Sequence, residues 1–382
     1  MAQTLKSKLK LIFLLLTACP FTISNCQAGQ AKYIRVAILQ DASSLRLKIS
    51  GFYEVIDTAN NAALYRGKNL NTTVTTYASG ILLGNVRCKS RAIYIKPTEQ
   101  DVIVIDGRRF RGNIKFVEKD NSRLLVINYI DLEGYLKGIL YHEVSHYWPM
   151  EALRAQAIIS RTYALYQMQQ NQLKDFDLTN DIYSQVYGGL TSERYRTNKA
   201  VESTRGRIIT FKDKIFPAYF HATCAGHTED ASLLWNIDMA PLKGVVCNFC
   251  KDSPHFNWHY VLSFSEISDK LNSSGYKIKS ITDIVSLGKD ASGRVADLKI
   301  VSQDKETKVS AKDFRNIIGP NIIRSTNFAV SIVKDDVIFE GVGWGHGVGL
   351  CQWGAYFMSK KGVPCEQILQ YYYPGTKISL NP

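Results

Sequence analysis

The chain has 382 residues, 45% of them apolar, and a formal net charge of +13. About 350 residues follow the N-terminal segment, too many for one small hydrophobic core, so the length predicts two lobes. No later apolar run is long enough to span a bilayer, which excludes a multi-span membrane protein. The positive charge suits an anionic partner. The alternative is a solvated mixed surface, because the basic residues form no Lys/Arg block.

Residues 1–28 predict export. Three lysines without an acidic residue precede residues 11–18, which are apolar but too short for a membrane span. Cleavage before Cys19 would leave a lipoprotein with a lipid anchor on that cysteine. Cleavage near Ala28 would leave a soluble protein, and an uncleaved anchor is a third, weaker alternative. Each places the protein in the periplasm or the cell envelope, where nucleic acid is not an expected partner.

Residues 33–127 predict a β-rich lobe. Short apolar or β-branched runs recur there, separated by glycine and asparagine. The runs are residues 34–39, 45–49, 93–95, 102–105 and 124–127.

A helical pattern begins after this lobe. Leu132, Leu136 and Ile139 share one helical face, which Glu143 extends, and Asp131 suits the N-cap.

A second helix is predicted beyond a sharp corner. Pro149 ends the first helix, because the residue before a proline is disfavoured in the α region, and it suits the first position of the next helix. Residues 151–169 are rich in alanine and free of glycine and proline. The fold predicted is α+β, with a β-rich N-terminal lobe followed by a mixed α/β lobe around a central pair of helices.

The C-terminal half is predicted to mix short elements with an inserted segment. Residues 260–333 predict an α+β insertion, in which Ser265 suits one helix cap and Ser310 with Asp313 suits the start of another helix. The other predicted elements are a helix near 193–204, strands at 208–210, 216–223 and 341–349, and a helix near 355–360.

Glu143 is the first candidate for chemistry. It ends an apolar helical face, where desolvation and the negative end of the helix dipole both raise the pKa of a carboxyl group. A raised pKa suits a general acid at neutral pH. The alternative is a solvated glutamate at a fraying helix end.

The neighbouring histidines raise a different hypothesis. With His142 and His146, Glu143 matches H-E-x-x-H, in which two histidines one turn apart bind zinc and the glutamate activates a water. Pro149 argues against this motif, because regular helix is not expected to reach His146. The longer metzincin pattern fails as well, since a proline and an alanine stand where its glycine and third histidine belong. A zinc protease is therefore the less favoured alternative.

Several polar residues are candidates for substrate binding. Gln156 and Arg161 lie in a helix otherwise suited to burial, and either would orient a hydroxyl-rich ligand or hold a carboxylate beside Glu143. For Arg161, a structural clamp between lobes is an equal alternative. Gln185 and Tyr187 lie in a polar, aromatic loop of a kind that binds sugars.

Residues 341–349 alternate glycine with other residues. As a strand, this stretch would present a face without side chains, which a backbone or a flat sugar ring could approach closely. His346 and the nearby Gln352 are therefore candidates for binding a sugar. A tight packing site with His346 satisfied internally is the alternative. The pattern matches no phosphate-binding loop.

The eight cysteines are too sparse for a disulfide scaffold in a chain of this length. Cys224, Cys247 and Cys250 nevertheless lie close together in the sequence, and His221 or His227 would complete a four-ligand set for structural zinc. In an exported protein the same cysteines could form a disulfide instead, or remain buried thiols. All three alternatives stay open.

Three ordered blocks of sequence resemble the SpoIID/LytB family of sporulation and cell-wall proteins. The resemblance spans roughly residues 33–376 and makes 128–376 the predicted catalytic region. The blocks are residues 126–138 running through 143 to 155–164; residues 185–188 with 200–206 and 226–229; and residues 343–350 with 352–355 and 372–375.

The resemblance implies a lytic transglycosylase that acts on glycan strands stripped of their stem peptides by a partner amidase. It would cleave the bond between N-acetylmuramic acid and N-acetylglucosamine and form an anhydro-sugar. Glu143 aligns with the family's catalytic glutamate, so the H-E-x-x-H match would be an accident of its neighbours. One carboxylic acid suffices, because the sugar's C6 hydroxyl replaces both water and an enzyme nucleophile.

Two further points follow from the resemblance. No cofactor is required, and the LytB branch is described as enhancing an amidase, so a non-catalytic, wall-binding enhancer is the alternative function. Some relatives hold zinc in a His/Cys cluster before the second block, where this chain has Tyr183 and Ser184. Any zinc here would have to use Cys224, Cys247 and Cys250.

Overall fold

Helices and strands are mixed along the chain, which confirms the predicted α+β class. A computed structural model describes residues 33–77, 80–98, 102–120, 122–181 and 184–381. The predicted signal region, with Cys19, and Tyr183 lie outside the described residues. Every helix within the described ranges is too short or too polar to cross a membrane.

The N-terminal part is built on one large sheet whose strands are mostly antiparallel. The strands are β1 (Tyr33–Ala42), β2 (Ser44–Asp57), β3 (Ala63–Tyr77), β4 (Gly80–Leu83), β5 (Val86–Cys88), β6 (Ala92–Pro97), β7 (Ile103–Ile105), β8 (Arg108–Phe110), β9 (Asn113–Glu118), β10 (Leu124–Asp131) and β11 (Leu178–Thr179). Their order is β11-β1-β10-β9-β6-β2-β3-β4-β5, and β7 pairs with β2 and β8. β1 and β11 run parallel.

Sequence periodicity explains most of this sheet. In β2, Leu45, Leu47 and Ile49 are buried while their neighbours are exposed, as expected of a strand with one face on a core. The five predicted runs all coincide with strands, namely β1, β2, β6, β7 and β10. The long strand β3 was not predicted, because most of its residues are exposed and polar and carry no alternating pattern.

The two central helices are α1 (Leu132–Glu143) and α2 (Met150–Gln170). The Asp131 side chain accepts a hydrogen bond from the Gly134 N–H at 2.9 Å, so the predicted N-cap is confirmed. Pro149 is the N-cap of α2. The sequence had suggested it for the first helical position, which Met150 occupies instead. α2 packs against two separate apolar cores, and it is therefore buried on several sides.

Short elements follow α2, and the strand predicted at residues 216–223 forms over two residues only. These elements are α3 (Tyr195–Ser203), β12 (Arg207–Phe211), β13 (Lys214–Ile215), β14 (Phe220–His221) and α4 (Ala231–Trp235). The predicted helix near 193–204 and the strand at 208–210 are confirmed. Of the strand predicted at 216–223, just Phe220–His221 forms. The reason is a tight turn, in which the Tyr219 N–H donates to the Pro217 carbonyl at 2.8 Å.

The region around the predicted insertion holds two small antiparallel sheets and two helices, and it extends beyond the predicted bounds, from residue 257 to residue 342. Its elements are β15 (Asn257–Ser263), α5 (Phe264–Ser273), β16 (Ile281–Lys289), β17 (Val295–Ser302), β18 (Glu306–Ser310), α6 (Ala311–Ile318), β19 (Phe328–Val333) and β20 (Asp336–Val342). The sheets are β15-β20-β19 and β16-β17-β18. Ser310 caps α6 through the Asp313 N–H, as predicted. The cap of α5 is Ser263 and not Ser265, because Ser263 forms a capping box with Glu266.

Residues 343–349 do not form the strand that the glycine alternation predicted. β20 ends at Val342, and the next glycines adopt positive φ angles: Gly343, Gly345, Gly347 and Gly349. This conformation folds the segment against the backbone of residues 219–223. A Cβ at Gly349 would lie 2.0 Å from the Tyr219 carbonyl oxygen, so the predicted close backbone approach is present although the strand is not.

The chain ends with β21 (Leu350–Cys351), α7 (Gln352–Lys360), α8 (Cys365–Tyr372) and β22 (Lys377–Leu380). β21 pairs in parallel with β14, which sets His221 beside Cys351. β22 completes a sheet in the order β13-β12-β22.

Three main apolar clusters fill the described interior. The first joins the N-terminal sheet to α1 and one side of α2. The second packs the other side of α2 against β12, α7 and α8, and the third is formed by residues of the successive elements from β15 to β20. Elements from all three clusters meet around the C-terminal end of α1.

Candidate active site

Glu143 is the last residue of α1. The buried face of that helix, formed by Leu132, Leu136 and Ile139, fixes α1 against the N-terminal core. Val144 then adopts an extended conformation. The helix therefore ends at the edge of the packed interior and presents Glu143 to a pocket.

The pocket has a volume of about 500 Å³. It is lined by His142, Glu143, Tyr163, Ser184, Val186, Tyr219, Phe220, His221, Ala222, Trp235, Arg315, Asn316, Pro320, Asn321, Trp344, Gly345, His346 and Gln352. Among these residues, Glu143 is the one with a carboxyl group. Arg315 is the one with a permanent positive charge.

Burial raises the pKa of Glu143 from 4.5 to about 7. A hydrogen bond from the backbone N–H of Val186 to the carboxylate works in the opposite direction and is the smaller effect. A large fraction of Glu143 side chains is therefore protonated at neutral pH. The side chain can give up a proton and take one back in the same pH range, as a general acid and base must.

Gln352 holds the end of α1 in place. Its side-chain amide donates to the Glu143 carbonyl oxygen at 3.2 Å and to Oε1 of Gln156 at 3.3 Å. Gln156 in turn donates to Ser160 at 3.1 Å. Gln352 lines the pocket, as a substrate-binding residue would, but its amide nitrogen is used to position Glu143.

Two of the three pocket histidines, His221 and His346, are neutral and differ in how they are bonded. His346 accepts the Val348 N–H at 3.1 Å and bonds to the Phe220 backbone, which matches the interpretation that it is satisfied internally. Burial, with the positive charges of Arg315 and Arg294, lowers the pKa of His346 well below its ordinary value.

His221 keeps one nitrogen available. Its Nδ1 must be the donor to the Val348 carbonyl at 3.1 Å, because a carbonyl oxygen only accepts. Within the described part of the chain, its Nε2 has no hydrogen-bond partner. Burial, reinforced by the charge of Arg294, lowers the pKa of His221 to about 3. The ring is thus a neutral acceptor for a ligand hydroxyl.

Aromatic side chains form the walls of the pocket. Trp235 lies 4.5 Å from Tyr219 and 4.9 Å from His346 between ring centroids. The guanidinium of Arg324 lies 4.8 Å from the ring centre of Trp344, which also lines the pocket. Flat, amphipathic surfaces of this kind suit the apolar faces of sugar rings.

The predicted sugar-binding loop faces the pocket with different residues from those predicted. Burial alternates along residues 184–188: Ser184 and Val186 line the pocket, whereas Gln185 and Tyr187 are buried. Gln185 accepts a hydrogen bond from the Tyr135 hydroxyl at 3.0 Å. The Tyr187 hydroxyl donates to Asn128 at 2.7 Å. The geometry therefore gives these two predicted binding residues positioning roles.

Arg161 does not line the pocket. It is fully buried, and its guanidinium makes two hydrogen bonds to the Glu133 carboxylate at 2.9 and 2.7 Å and one to the Arg207 carbonyl at 2.9 Å. These contacts match the structural clamp and not the substrate-binding role, because the bonded guanidinium has no exposed surface from which to reach a ligand.

The H-E-x-x-H match has no metal-site geometry. α1 ends at Glu143, so His146 does not lie one helical turn beyond His142. His142 is paired with Ser192 at 2.5 Å, and the His146 ring packs on Tyr147 at 3.9 Å. Among the described residues, neither histidine belongs to a cluster of metal-ligating side chains.

The cysteine cluster is more complete than the sequence predicted. Cys224, Cys247, Cys250 and Cys351 are all buried, with their sulfur atoms within 4.8 Å of one another. His221, which the sequence suggested as the fourth ligand, is not part of this group, because its ring turns to the Val348 carbonyl and the pocket.

Comparisons with known proteins identify the family. A model described as stage II sporulation protein, SpoIID, matches residues 120–211. The chain is 32% identical over 350 residues to an uncharacterized protein of Brachyspira hyodysenteriae, which covers 90% of this chain and 92% of that protein. It is 30% identical over 265 residues to stage II sporulation protein D of Bacillus subtilis, which covers 65% of this chain and 75% of that protein. The chain belongs to the SpoIID family.

Another relative carries a different description. The chain is 25% identical over 349 residues to the amidase enhancer of Bacillus subtilis, which covers 78% of this chain and 48% of that protein. The chain thus spans about half the length of that relative. A second family model, described as a domain of unknown function, matches residues 242–349.

The pocket combines the SpoIID segment with residues outside it. The SpoIID match includes Glu143, Tyr163 and the loop from Ser184 to Val186. Arg315 and Trp344 come from the segment that the second model matches. No motif in the sequence marked Arg315. Helical periodicity could have revealed Tyr163, because it lies seven residues after Gln156 on the same face of α2.

Proposed function

We propose that this SpoIID-family protein is a lytic transglycosylase of the bacterial cell wall, with Glu143 as its acid and base. The observation that carries the proposal is Glu143 itself, a carboxyl group with a pKa of about 7 in a pocket whose other described lining residues offer no second carboxylate. A hydrolase that acts on glycosidic bonds usually needs two carboxylic acids. A transglycosylase that uses the sugar's own hydroxyl as nucleophile needs one.

The proposed reaction uses the Glu143 carboxyl group twice, first as an acid and then as a base. The protonated carboxyl gives its proton to the glycosidic oxygen as the bond from that oxygen to C1 breaks, and the leaving sugar departs with a hydroxyl group. Positive charge then develops on C1 and the ring oxygen. The Glu143 carboxylate takes the proton of the C6 hydroxyl while the C6 oxygen bonds to C1. The product is a 1,6-anhydro ring, and Glu143 is protonated again.

The other pocket groups supply binding for a glycan strand. Trp235 and Trp344 offer stacking surfaces on two walls. The free Nε2 of His221 would accept a sugar hydroxyl, since its other nitrogen is already bonded. Arg315 would pair with the carboxylate of the lactyl group, which is exposed on muramic acid once an amidase has removed the stem peptide. A partner amidase would therefore generate the preferred substrate.

The decisive experiment is a product assay with purified protein and denuded glycan strands. Mass spectrometry should detect anhydro-muramic ends with the wild type and with Glu54→Gln, a control at a half-buried glutamate of β2 that does not line the pocket. Glu143→Gln should reduce product formation by a factor of about 1,000 or more, since it removes the carboxyl group that gives the first proton and accepts the second. Product formation by Glu143→Gln at the wild-type rate would overturn the assignment.

A second candidate function is the enhancement of a cell-wall amidase. Similarity to the amidase enhancer of Bacillus subtilis favours it, and the net charge of +13 suits binding to an anionic wall. Under this alternative, stimulation of an amidase would not need the Glu143 proton. Stimulation that is equal with wild type and Glu143→Gln, without anhydro products from either protein, would establish the enhancer function. Both functions place the protein in the cell envelope.

A further inference from the structure

Four cysteines from three separate segments converge behind the pocket. Cys224 follows β14, Cys247 and Cys250 lie in the loop before β15, and Cys351 is the last residue of β21. All four sulfur atoms lie within 4.8 Å of one another, and the Cys224 and Cys250 sulfurs are 3.5 Å apart. Each cysteine is at most 1% exposed.

We propose that these four cysteines bind one zinc ion in a closed structural site. Zinc–thiolate bonds of about 2.3 Å place tetrahedral sulfur ligands about 3.8 Å from one another. The spacing of the four sulfurs fits such a tetrahedron, and two of the ligands form a C-x-x-C pair, a common arrangement in structural zinc sites. Four protein ligands leave no position for a water or a substrate, so the ion has a structural and not a catalytic role.

The surroundings suit thiolate ligands. The backbone N–H groups of Cys224 and Gly354 each donate to the Cys351 sulfur at 3.3 Å. The Tyr372 hydroxyl lies 3.1 Å from the Cys247 sulfur. The buried guanidinium of Arg294 donates to the Cys224 carbonyl at 3.2 Å. Donors and a positive charge around the sulfurs offset the negative charge that four thiolates bring.

The same geometry argues against two disulfides. A disulfide needs two sulfurs about 2.05 Å apart and set off from their neighbours. Here all four sulfurs share one small volume and are equally enclosed. Cysteines used in redox chemistry are partly exposed, and these are not.

Zinc bound by these cysteines would stabilise the strands β14 and β21, and His221 at the end of β14 and Gln352 directly after β21 line the pocket. Cys351 precedes Gln352, the residue that donates to the Glu143 carbonyl, and Cys351 pairs with His221 across β14 and β21. The loop that carries Cys247 and Cys250 would be joined to both strands through the metal. The residues named in these contacts belong to segments that are far apart in the sequence, and the ion would hold them in register.

The test is metal analysis of the full chain, purified after expression without added chelator. We expect roughly one zinc per chain by inductively coupled plasma mass spectrometry, and X-ray absorption that fits four sulfur ligands at about 2.3 Å. Cys247→Ser and Cys351→Ser should each lose most of the zinc. His221→Ala should retain it, and so should Cys88→Ser, which removes a buried cysteine from the N-terminal sheet.

Three results would overturn the proposal. They are wild-type protein without zinc, mass spectrometry that finds these cysteines joined as disulfides, or full zinc content in Cys351→Ser. If the serine variants fail to fold, the absorption spectrum of the wild type still decides, because a nitrogen ligand in place of the fourth sulfur contradicts the four-cysteine site. None of these measurements depends on enzyme activity.

Discussion

At neutral pH, Glu143 lowers the free energy of unfolding of the protein. In the unfolded chain its pKa is that of an ordinary glutamate, whereas burial raises it to about 7 in the native state. Between pH 4.5 and 7 the unfolded chain therefore releases this proton first, so the contribution of Glu143 to stability falls as the pH rises through that range. Below pH 4.5 both states hold the proton and the cost disappears.

Glu143→Gln should therefore stabilise the protein while abolishing its proposed activity. At pH 8 we expect an increase in the free energy of unfolding of about 1–2 kcal/mol, less than the full pKa difference implies because the pocket admits water. Thermal melts should show this as a Tm higher by about 2–5 °C at pH 8 and nearly unchanged at pH 4. An equal Tm shift at both pH values would mean that the charge of Glu143 is not the cause.

The same residue predicts the pH profile of the proposed reaction. The acid form is required at the start, so kcat/KM for denuded strands should fall about tenfold per pH unit above pH 7. Because the same carboxyl group later serves as the base, no second carboxylate with a lower pKa adds an acidic limb. Initial rates from pH 3 to 9 would check this, with melts to confirm the fold. A bell-shaped profile with a second ionisation near pH 4 would point to an additional catalytic base outside the described pocket lining.

The charge of Arg315 in the pocket leads to a prediction about substrate choice. If its guanidinium pairs with the lactyl carboxylate, Arg315→Ala should raise KM for denuded strands about tenfold with little change in kcat, and Arg315→Lys should restore part of the loss. Strands that keep their stem peptides lack the free carboxylate, so their KM should respond less. Lys308→Ala, which removes an exposed cation on β18, is the matched control. Equal changes in KM for both substrates would mean that Arg315 does not bind the lactyl carboxylate.

At the scale of elements, the glycine segment 343–349 shapes the pocket by close packing. Gly349 has a φ of +72°, and a Cβ there would lie 2.0 Å from the Tyr219 carbonyl oxygen. Gly349→Ala should therefore cost about 2–5 kcal/mol, from overpacking added to a strained backbone. Gly362 has a similar φ of +81° but open space around it, so Gly362→Ala should cost just about 1 kcal/mol.

Urea denaturation of the two alanine variants would compare these costs directly, provided that the m-values are unchanged. Equal destabilisation would show that the backbone angle, and not the contact with Tyr219, is what Gly349 provides.

Sequence patterns predicted the elements that obey a simple period. Leu45 and Leu47 alternate, and Leu132 and Leu136 recur every helical turn, so β2 and α1 could be placed from the sequence. The glycine segment shows where such inference stops. Alternating glycines suggested a strand, but the positive φ of Gly343 and Gly349 depends on contacts with residues 219–223, which lie more than a hundred positions away.

At the scale of the whole molecule, the pocket combines segments that no local pattern connects. Glu143 could be singled out because it ends an apolar helical face, where burial raises the pKa of a carboxyl group, and because it aligns with the family's catalytic glutamate. Arg315 joins it through the docking of the third apolar cluster, and the sequence contains no signal for that contact. Cys351 could not be connected with the other cysteines from the sequence for the same reason, because the pairing of β14 with β21 is what brings it to Cys224.

The charge of the whole chain also leads to a prediction. A net charge of +13, still strongly positive without the lysines of the first ten residues, should draw the protein to the anionic wall. Salt screens such attraction, since the Debye length shrinks from about 10 Å at 0.1 M to about 3 Å at 1 M. Co-sedimentation with purified sacculi should therefore weaken about tenfold or more between these salt concentrations.

Two comparisons make the binding measurement specific. Glu143→Gln should bind sacculi as the wild type does, because the substitution leaves the surface charge almost unchanged. Chitin, a neutral glycan, should bind weakly and with little dependence on salt, since it offers the aromatic pocket a sugar but no carboxylates. Binding to sacculi that is as strong at 1 M salt as at 0.1 M would contradict the electrostatic model. It would instead place recognition on Trp235 and Trp344, whose stacking on sugar rings does not depend on ionic strength.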